Sequence, residues 1–385
     1  MMPSAVGWDI APEVAAWPGL PPLEGNAAAD ACVVGLGGSG LAAVEAFADA
    51  GLAVIGVDAG RVGAGAAGRN GGFLLGGGAP AFHEAVGRWG EDVAVALYRA
   101  TLAELDRLSD RLGPEVLRRA GSIRLAGLPG GDEDRSAEAT DCARQEEAMR
   151  AAGLAVERYA GPLGEGLFFP DDAQVNPALR VVRTAERLAG RARLHEGTTV
   201  RAVRARSVVT DAGEVSARLV VVAVDGGLEL LLPQLADLVR TARLQMLSTA
   251  PVPTGRLPCP VYARWGYDYA QQDAAGRLYV GAGRDRFVDA EWTTDTQPTE
   301  SVQRYADEVA ARMAGQPVDV EARWAASVGF TEDGRALCLP MDDGVVACGG
   351  YSGIGNLVGP VAVRAAVAWL VDAIRPPRYF RSDAP

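Results

Sequence analysis

The stretch Ala31-Cys32-Val33-Val34-Gly35-Leu36-Gly37-Gly38-Ser39-Gly40 decides the fold. Cys32 to Val34 is a short apolar run, suited to a buried parallel strand. Gly35, Gly37 and Gly40 give the spacing G-x-G-x-x-G. In that spacing the first glycine permits a tight turn and the second lets a diphosphate approach the backbone. The third lets a helix pack closely on the strand. Residues 41–50 are rich in alanine and predict that helix. Its start offers free N–H groups and the positive end of a helix dipole to phosphate. Residues 54–57 predict a second strand, closed by Asp58, 23 residues after Gly35. A carboxylate there accepts a hydrogen bond from a ribose 2′-hydroxyl and repels a 2′-phosphate, which disfavours NADP. The order strand, glycines, helix, strand, acid outweighs the bland reading of a functionless glycine turn.

A second glycine cluster follows, Ala59-Gly60-Arg61-Val62-Gly63-Ala64-Gly65-Ala66-Ala67-Gly68-Arg69-Asn70-Gly71-Gly72. Small residues let backbone amides reach a ligand, Arg69 adds fixed charge, and Asn70 adds donors. This run resembles the segment after the acidic residue in the D-amino-acid oxidase superfamily, which includes glycine and sarcosine oxidases. It is most similar to the small-Gly-Arg-Asn-Gly-Gly run of the gamma-glutamylputrescine oxidase-like branch. The resemblance implies FAD. From the residues and the resemblance together, the expected cofactor contacts are Gly35, Gly37, Gly38, Ser39, Gly40, Asp58, Ala59, Arg61, Ala67, Gly68, Arg69, Asn70, Gly71 and Gly72. Val200 resembles the position whose backbone touches the adenine side.

Composition narrows the class. The chain has 385 residues, 49% hydrophobic, enough for two domains with sizeable cores. A net charge of −12 argues against nucleic acid or an anionic membrane surface as partner. All 37 basic residues are arginines, so no lysine chemistry of any kind is open to this protein. Cys32, Cys142, Cys259, Cys338 and Cys348 show neither C-x-x-C nor metal spacing, which predicts free thiols in a reducing compartment. With only His83 and His195, neither a histidine metal site nor a Ser-His-Asp triad is expected. No leader pattern and no apolar run of membrane-spanning length is evident, so a cytoplasmic protein is expected.

Along the chain, residues 1–30 read as a Pro- and Ala-rich arm with Trp8 and Trp17. Residues 81–113 carry helical periodicity, residues 121–126 read as a strand, and residues 130–152 as a solvated surface helix. Residues 178–189 read as a helix, 193–200 and 208–215 as strands with a turn, and 219–224 as a central strand. That strand ends in Asp225, where the family usually has Ala-x-Gly-Ala. Residues 241–292 alternate and hold Tyr262, Trp265, Tyr267, Tyr269, Tyr279 and Phe287, as in an antiparallel sheet with one face on a pocket. A helix over 299–314, a last strand over 345–348 and a helix to about residue 374 complete the pattern. The fold class expected is α/β: a Rossmann-type FAD-binding domain with a mixed sheet, plus an interleaved α+β substrate domain with an antiparallel sheet. Residues 1–80, 165–240 and 325–385 are assigned to the first, 81–164 and 241–324 to the second.

The run Gly349-Gly350-Tyr351-Ser352-Gly353-Ile354-Gly355-Asn356 sits between that last strand and helix. Gly353 and Gly355 permit close backbone approach where a helix begins. In the family this opening points at the flavin edge where charge gathers on reduction, so Gly353, Ile354, Gly355 and Asn356 join the expected contacts. The bland alternative is an ordinary strand–helix turn.

The expected reaction is hydride transfer from a C–H next to nitrogen to flavin N5, giving an imine that hydrolyses. The substrate is a small amine or amino acid, with O2 or another electron acceptor. Val328-Gly329 occupies the place of the family's carboxylate-binding Arg-Pro, which tilts the reading towards amines. Arg264, Arg284 and Arg286 are candidate replacements, each also readable as an ion-pair arginine. Trp265, Tyr267, Tyr269 and Tyr351 are candidates to box an amine, each also readable as core. Covalent flavin attachment is not expected, since Asn70 fills a place where some relatives have histidine. No metal is expected. Competing readings are an FAD-dependent 2-hydroxy-acid dehydrogenase, a flavin-binding protein without turnover and, more distantly, an NAD-only enzyme.

Overall fold

The computed structural model describes residues 6–130 and 135–382. The chain divides into two compact units, each built from three stretches. One unit holds Ala11–Arg69, Pro177–Ala242 and the chain from Ser327 on. The other holds the chain through Ile10, Asn70–Asn176 and Arg243–Ala326.

The first unit is organised by a mixed sheet. Its parallel centre runs from the strand Val345–Gly349 through Glu214–Val222, Ala27–Val34 and Val54–Val57 to Arg193–His195. Antiparallel hairpin strands extend it: Val200–Arg204 with Ser207–Thr210, and Leu337–Asp342 with Val345–Gly349. Cys32, Val33, Val220, Val221 and Ile55 are fully buried, as central strands covered on both faces must be. Cys32, Val34, Ile55 and Val57 face one way, against Leu228, Leu232 and Leu235. Val33 faces the other, towards the helix Gly38–Asp49, where a Cβ on Gly40 would meet its methyl at 3.5 Å. Helix Gly355–Asp372 lies beside Gly38–Asp49 so closely that a Cβ on Gly359 would stand 2.1 Å from Ser39 Oγ.

The second unit carries an eight-stranded sheet in the order Val320–Phe330, Arg240–Thr249, Leu278–Gly281, Asp268–Gln272, Val261–Ala263, Ser122–Leu125, Gly164–Phe169, Glu157–Gly161. Val261, Ala263, Ala270, Val280 and Leu247 point to one face and form a core with the helix Glu300–Ala314. The pairing departs from a purely antiparallel expectation at one place: Val261–Tyr262 runs parallel to Ile123–Arg124. These strands are far apart in sequence, so no hairpin dictates their direction.

Two helix expectations are corrected. Residues 81–113 form two helices, Phe82–Trp89 and Glu91–Leu112, because Gly90 takes φ +91° between them. The helix expected over 130–152 is Ser136–Ala151, with residues 131–134 outside the described set. It is no solvated surface helix: Glu138, Cys142, Gln145, Glu146 and Met149 are buried, their polar groups engaged by arginines and backbone. The unit boundaries fall at residues 10/11, 69/70, 176/177, 242/243 and 326/327. Residues 70–80 and 165–176 therefore fall in the second unit, where Phe73–Leu74 pairs with Ala173–Val175 in a separate three-stranded sheet.

Candidate functional site

Each glycine of the first motif has its own reason to lack a side chain. Gly35 takes φ +92°, and a Cβ there would lie 2.8 Å from the Ala223 carbonyl. A Cβ on Gly40 would sit 1.7 Å from the Gly35 carbonyl, inside covalent reach. Gly37 is extended and immediately precedes the helix; a Cβ on it would approach Ala67 Cβ at 3.2 Å. The second glycine cluster thus packs on the first. Within that cluster Gly63 has φ +82° and leaves no room for a side chain on Gly68.

Asp58 closes the loop from the other side. Its carboxylate accepts the Leu36 N–H at 2.7 Å and the Gly60 N–H at 2.8 Å. Burial pushes this carboxyl up, and the two backbone donors oppose the shift. A carboxylate has about four acceptor sites, so capacity for a ribose hydroxyl remains. The Asp58 carbonyl accepts Thr198 N–H at 2.8 Å, which brings the segment leading to Val200 alongside the loop. Arg61 is placed differently from the expectation: its guanidinium donates to the carbonyls of Val14 and Trp17 and fixes the N-terminal arm. The buried carboxylate of Glu196 fastens the same arm, accepting from Trp17 Nε1, Leu20 N–H and Val62 N–H.

The second opening is built on Asp225. Its carboxylate accepts the Tyr351 N–H at 3.0 Å and the Gly329 N–H at 3.2 Å, tying two loops at one point. Burial pushes Asp225 up to about 6 against these backbone donors. Gly350 and Gly353 have φ +67° and +91°, and the helix starts at Gly355. Tyr351, a candidate for the substrate pocket, is instead buried between the two helices. Its ring would touch side chains placed on Gly355 at 2.9 Å and Gly359 at 3.2 Å. Burial pushes its phenol well up, with the neighbouring Ser39 hydroxyl opposing the shift. That hydroxyl does not reach hydrogen-bonding geometry, and Tyr351 Oη is left without a partner among the described residues.

One residue that sequence reasoning missed joins the two openings. Arg180, on the helix Pro177–Leu188, is 3% exposed. Its guanidinium donates to Asn356 Oδ1 at 3.1 Å and to the Asn356 carbonyl at 2.8 Å. It also lies 3.4 Å from where a Cβ on Gly38 would be. The only available signal was an arginine at a core position of an amphipathic helix.

In the other unit, Asn70 caps its own turn by accepting the Gly72 N–H at 2.7 Å, and its carbonyl accepts Trp8 Nε1 at 2.9 Å. Gln271 donates to the carbonyls of Gly71 and Val175. A Cβ on Gly71 would lie 2.8 Å from Tyr269. The sheet face opposite the Glu300–Ala314 helix is aromatic. Tyr262 and Tyr269 are cross-strand partners that both approach Phe73, and Tyr262 also stacks on Phe169. Trp8 stacks on Tyr279 with centroids 3.4 Å apart. Buried Arg124 shares that face, bonded to Asp141 and Gln145.

The other candidates lie off it. Arg264 is held by Asp268, Asp285 and the Tyr305 hydroxyl. Arg284 sits over the rings of Tyr267 and Trp292, and Arg286 over Tyr305. Trp265 is 49% exposed in a turn with φ +57°. His83, Glu84 and Asp141 bring possible ligand atoms within 4.8 Å of one another, but Asp141 is already paired with Arg124 and His83.

A strand-flanked cradle whose glycines cannot accept a Cβ, closed by an acid and met by a second helix opening, is what a flavin dinucleotide requires. The sequence profile of the FAD-dependent oxidoreductase family matches residues 30–369, and the chain belongs to that family. A curated relative, the "Probable oxidoreductase OrdL" of Haemophilus influenzae, is 38% identical over 93 residues, 24% of this chain. That match spans 22% of the relative's length. Glycine oxidase from Geobacillus kaustophilus superposes with a TM-score of 0.73 at 22% identity, covering 91% of this chain and 96% of that one. L-Proline dehydrogenase from P. horikoshii gives 0.72 at 16%, covering 91% and 95%. L-Amino acid deaminase from Proteus vulgaris gives 0.69 at 17%, covering 93% and 92%. These structures share the fold. Among the described residues no helix is long and apolar enough to cross a membrane.

Proposed function

We propose that this FAD-dependent oxidoreductase oxidises a C–N bond of a small amine or N-substituted amino compound, using non-covalently held FAD and passing electrons to O2 or another acceptor. The observation that carries the reading is the meeting of two glycine-lined helix openings at Arg180, within one unit. Gly35 to Gly40, Asp58 and the 63–69 loop would hold the dinucleotide, and Gly353 to Asn356 the edge of the ring. Bound FAD supplies the hydride acceptor. The chain's own part is to aim backbone N–H groups at the charge that develops on the ring, without reorganisation.

The lean towards amines rests on the arginines. Arg264 is committed to Asp268 and Asp285, and Arg124 to Asp141, so neither offers an open clamp for a substrate carboxylate. Tyr262 and Tyr269, cross-strand neighbours on the aromatic sheet face, are the candidates to meet an amine instead. The neutral amine needs no strong base, which fits a chain with two histidines and no lysine. The Gly68-Arg69-Asn70-Gly71-Gly72 run supports a place near the gamma-glutamylputrescine oxidase-like branch. A location in the cytoplasm accords with the thiols of Cys32, Cys142, Cys259, Cys338 and Cys348, all free and buried.

Purified protein is expected to carry a flavin spectrum that bleaches under anaerobic mixing with members of an amine panel. Amine or ammonia should be released on turnover, and the flavin should leave on denaturation. Turnover of 2-hydroxy acids without amine release would replace this reading. A flavin band that no amine bleaches would leave a binding protein.

A further inference from the structure

We propose that Arg180 is a positioning residue that locks the two helix openings into one cradle and tunes both FAD affinity and the flavin's reduction potential. The proposal rests on the cofactor reading above. Arg180 lies in the first turn of Pro177–Leu188, and that short helix meets three glycine segments at once. Its guanidinium lies next to Gly38, at the start of Gly38–Asp49. It holds Asn356, in the first turn of Gly355–Asp372, by side chain and main chain together. The neighbouring Val181 touches the loop between the openings, where a Cβ on Gly63 would stand 3.0 Å from its methyl.

A second observation points to the same place. Tyr351, only 4% exposed, brings an unpartnered hydroxyl against Ser39 in the first turn of the Gly38–Asp49 helix. A buried polar group without a partner is uncommon and calls for an explanation such as a ligand or water. The ring itself packs against Gly355 and Gly359, in the first two turns of the Gly355–Asp372 helix.

The physical consequence follows from charge and geometry. A guanidinium keeps its charge at every working pH and forms rigid paired hydrogen bonds. Placed between two helix starts, it adds a fixed positive charge to two positive dipole ends. That field favours a bound diphosphate. It also favours the reduced flavin, which gains negative charge, over the oxidised one.

The test uses the full chain after removal and re-addition of FAD, with Arg180→Leu, Arg180→Lys and Asn356→Ala. The readouts are the FAD dissociation constant by fluorescence titration and the flavin midpoint potential by dye equilibration. Arg180→Leu is expected to weaken FAD binding about tenfold or more, because the fixed charge beside the two helix starts and the bonds to Asn356 that hold them together are both lost. It should also lower the midpoint potential. Arg180→Lys keeps the charge and loses the fork, so affinity should fall several-fold while the potential stays near wild type. Asn356→Ala should behave like Arg180→Lys. An Arg180→Leu protein with wild-type affinity and potential overturns the inference while leaving the cofactor reading intact. If that variant does not fold, unchanged FAD affinity in both other variants overturns it equally. Wild-type protein that takes up no FAD overturns both.

Discussion

At the scale of single residues, two carboxylates that burial raises alike should respond differently to replacement by an amide. Asp172 accepts from Ser122 Oγ at 2.7 Å and from Gly76 N–H at 2.8 Å, and burial pushes it from 3.8 up to about 7. A raised acid favours its neutral form when folded. Its contribution to stability is therefore full below about pH 4 and is lost as the pH climbs through about 7. Asp172→Asn can still accept from Gly76 and donate to Ser122, so it should melt higher than wild type at pH 8, with the gap closing near pH 4. Asp225 instead receives backbone N–H groups from Gly329 and Tyr351. Asp225→Asn would turn an amide donor on one of them, and we expect a loss of about 1–3 kcal/mol in urea melts at pH 8. Gly40→Ala meets a backbone oxygen at 1.7 Å and should abolish FAD retention. Gly87→Ala, on the helix Phe82–Trp89 with nothing within 4 Å and outside both glycine clusters, should retain FAD like wild type and serves as its control. The conformation of Gly35, Gly37 and Gly40 and the loop-closing place of Asp58 were legible in sequence because backbone geometry leaves few choices there. Arg180 and the inward Tyr351 were not, since what an arginine or tyrosine touches depends on residues far along the chain.

Elements were legible where periodicity was strong and less so where a glycine interrupts it. The strand at Val54–Val57 and the helix Glu300–Ala314 lie within a residue of their expected bounds. The break at Gly90 was hidden because apolar spacing continues across it, and only its positive φ ends the first helix. In that helix, Phe82–Trp89, Gly87 is exposed with open space around its Cα. Gly87→Ala should stabilise the protein by roughly 0.5–1 kcal/mol, read as a higher urea midpoint with unchanged slope. Helix Ser136–Ala151 misled because its charged residues look solvated in sequence. Glu146 in fact receives Arg158, and Glu138 receives the Arg264 backbone N–H at 2.7 Å. Buried charge of this kind is held by partners that local composition does not reveal.

At the scale of the whole molecule, each unit gathers three separated stretches, so long-range pairing rather than chain order defines it. The strand Ala27–Val34 finds both neighbours, Val54–Val57 and Glu214–Val222, from opposite directions along the chain. The sequence by itself determined the dinucleotide-binding half and its cofactor class, since G-x-G-x-x-G and the acid encode contacts made within one βαβ unit. It also excluded lysine-based chemistry, because the chain holds no lysine. Only the tertiary structure decided which arginines are spoken for and where Tyr351 points. It alone decided that Gly38 and Asn356, far apart in sequence, meet at one guanidinium. The reason is physical. Local spacing fixes backbone shape within a few residues, whereas the partners of a buried charge are chosen by packing across the sheet.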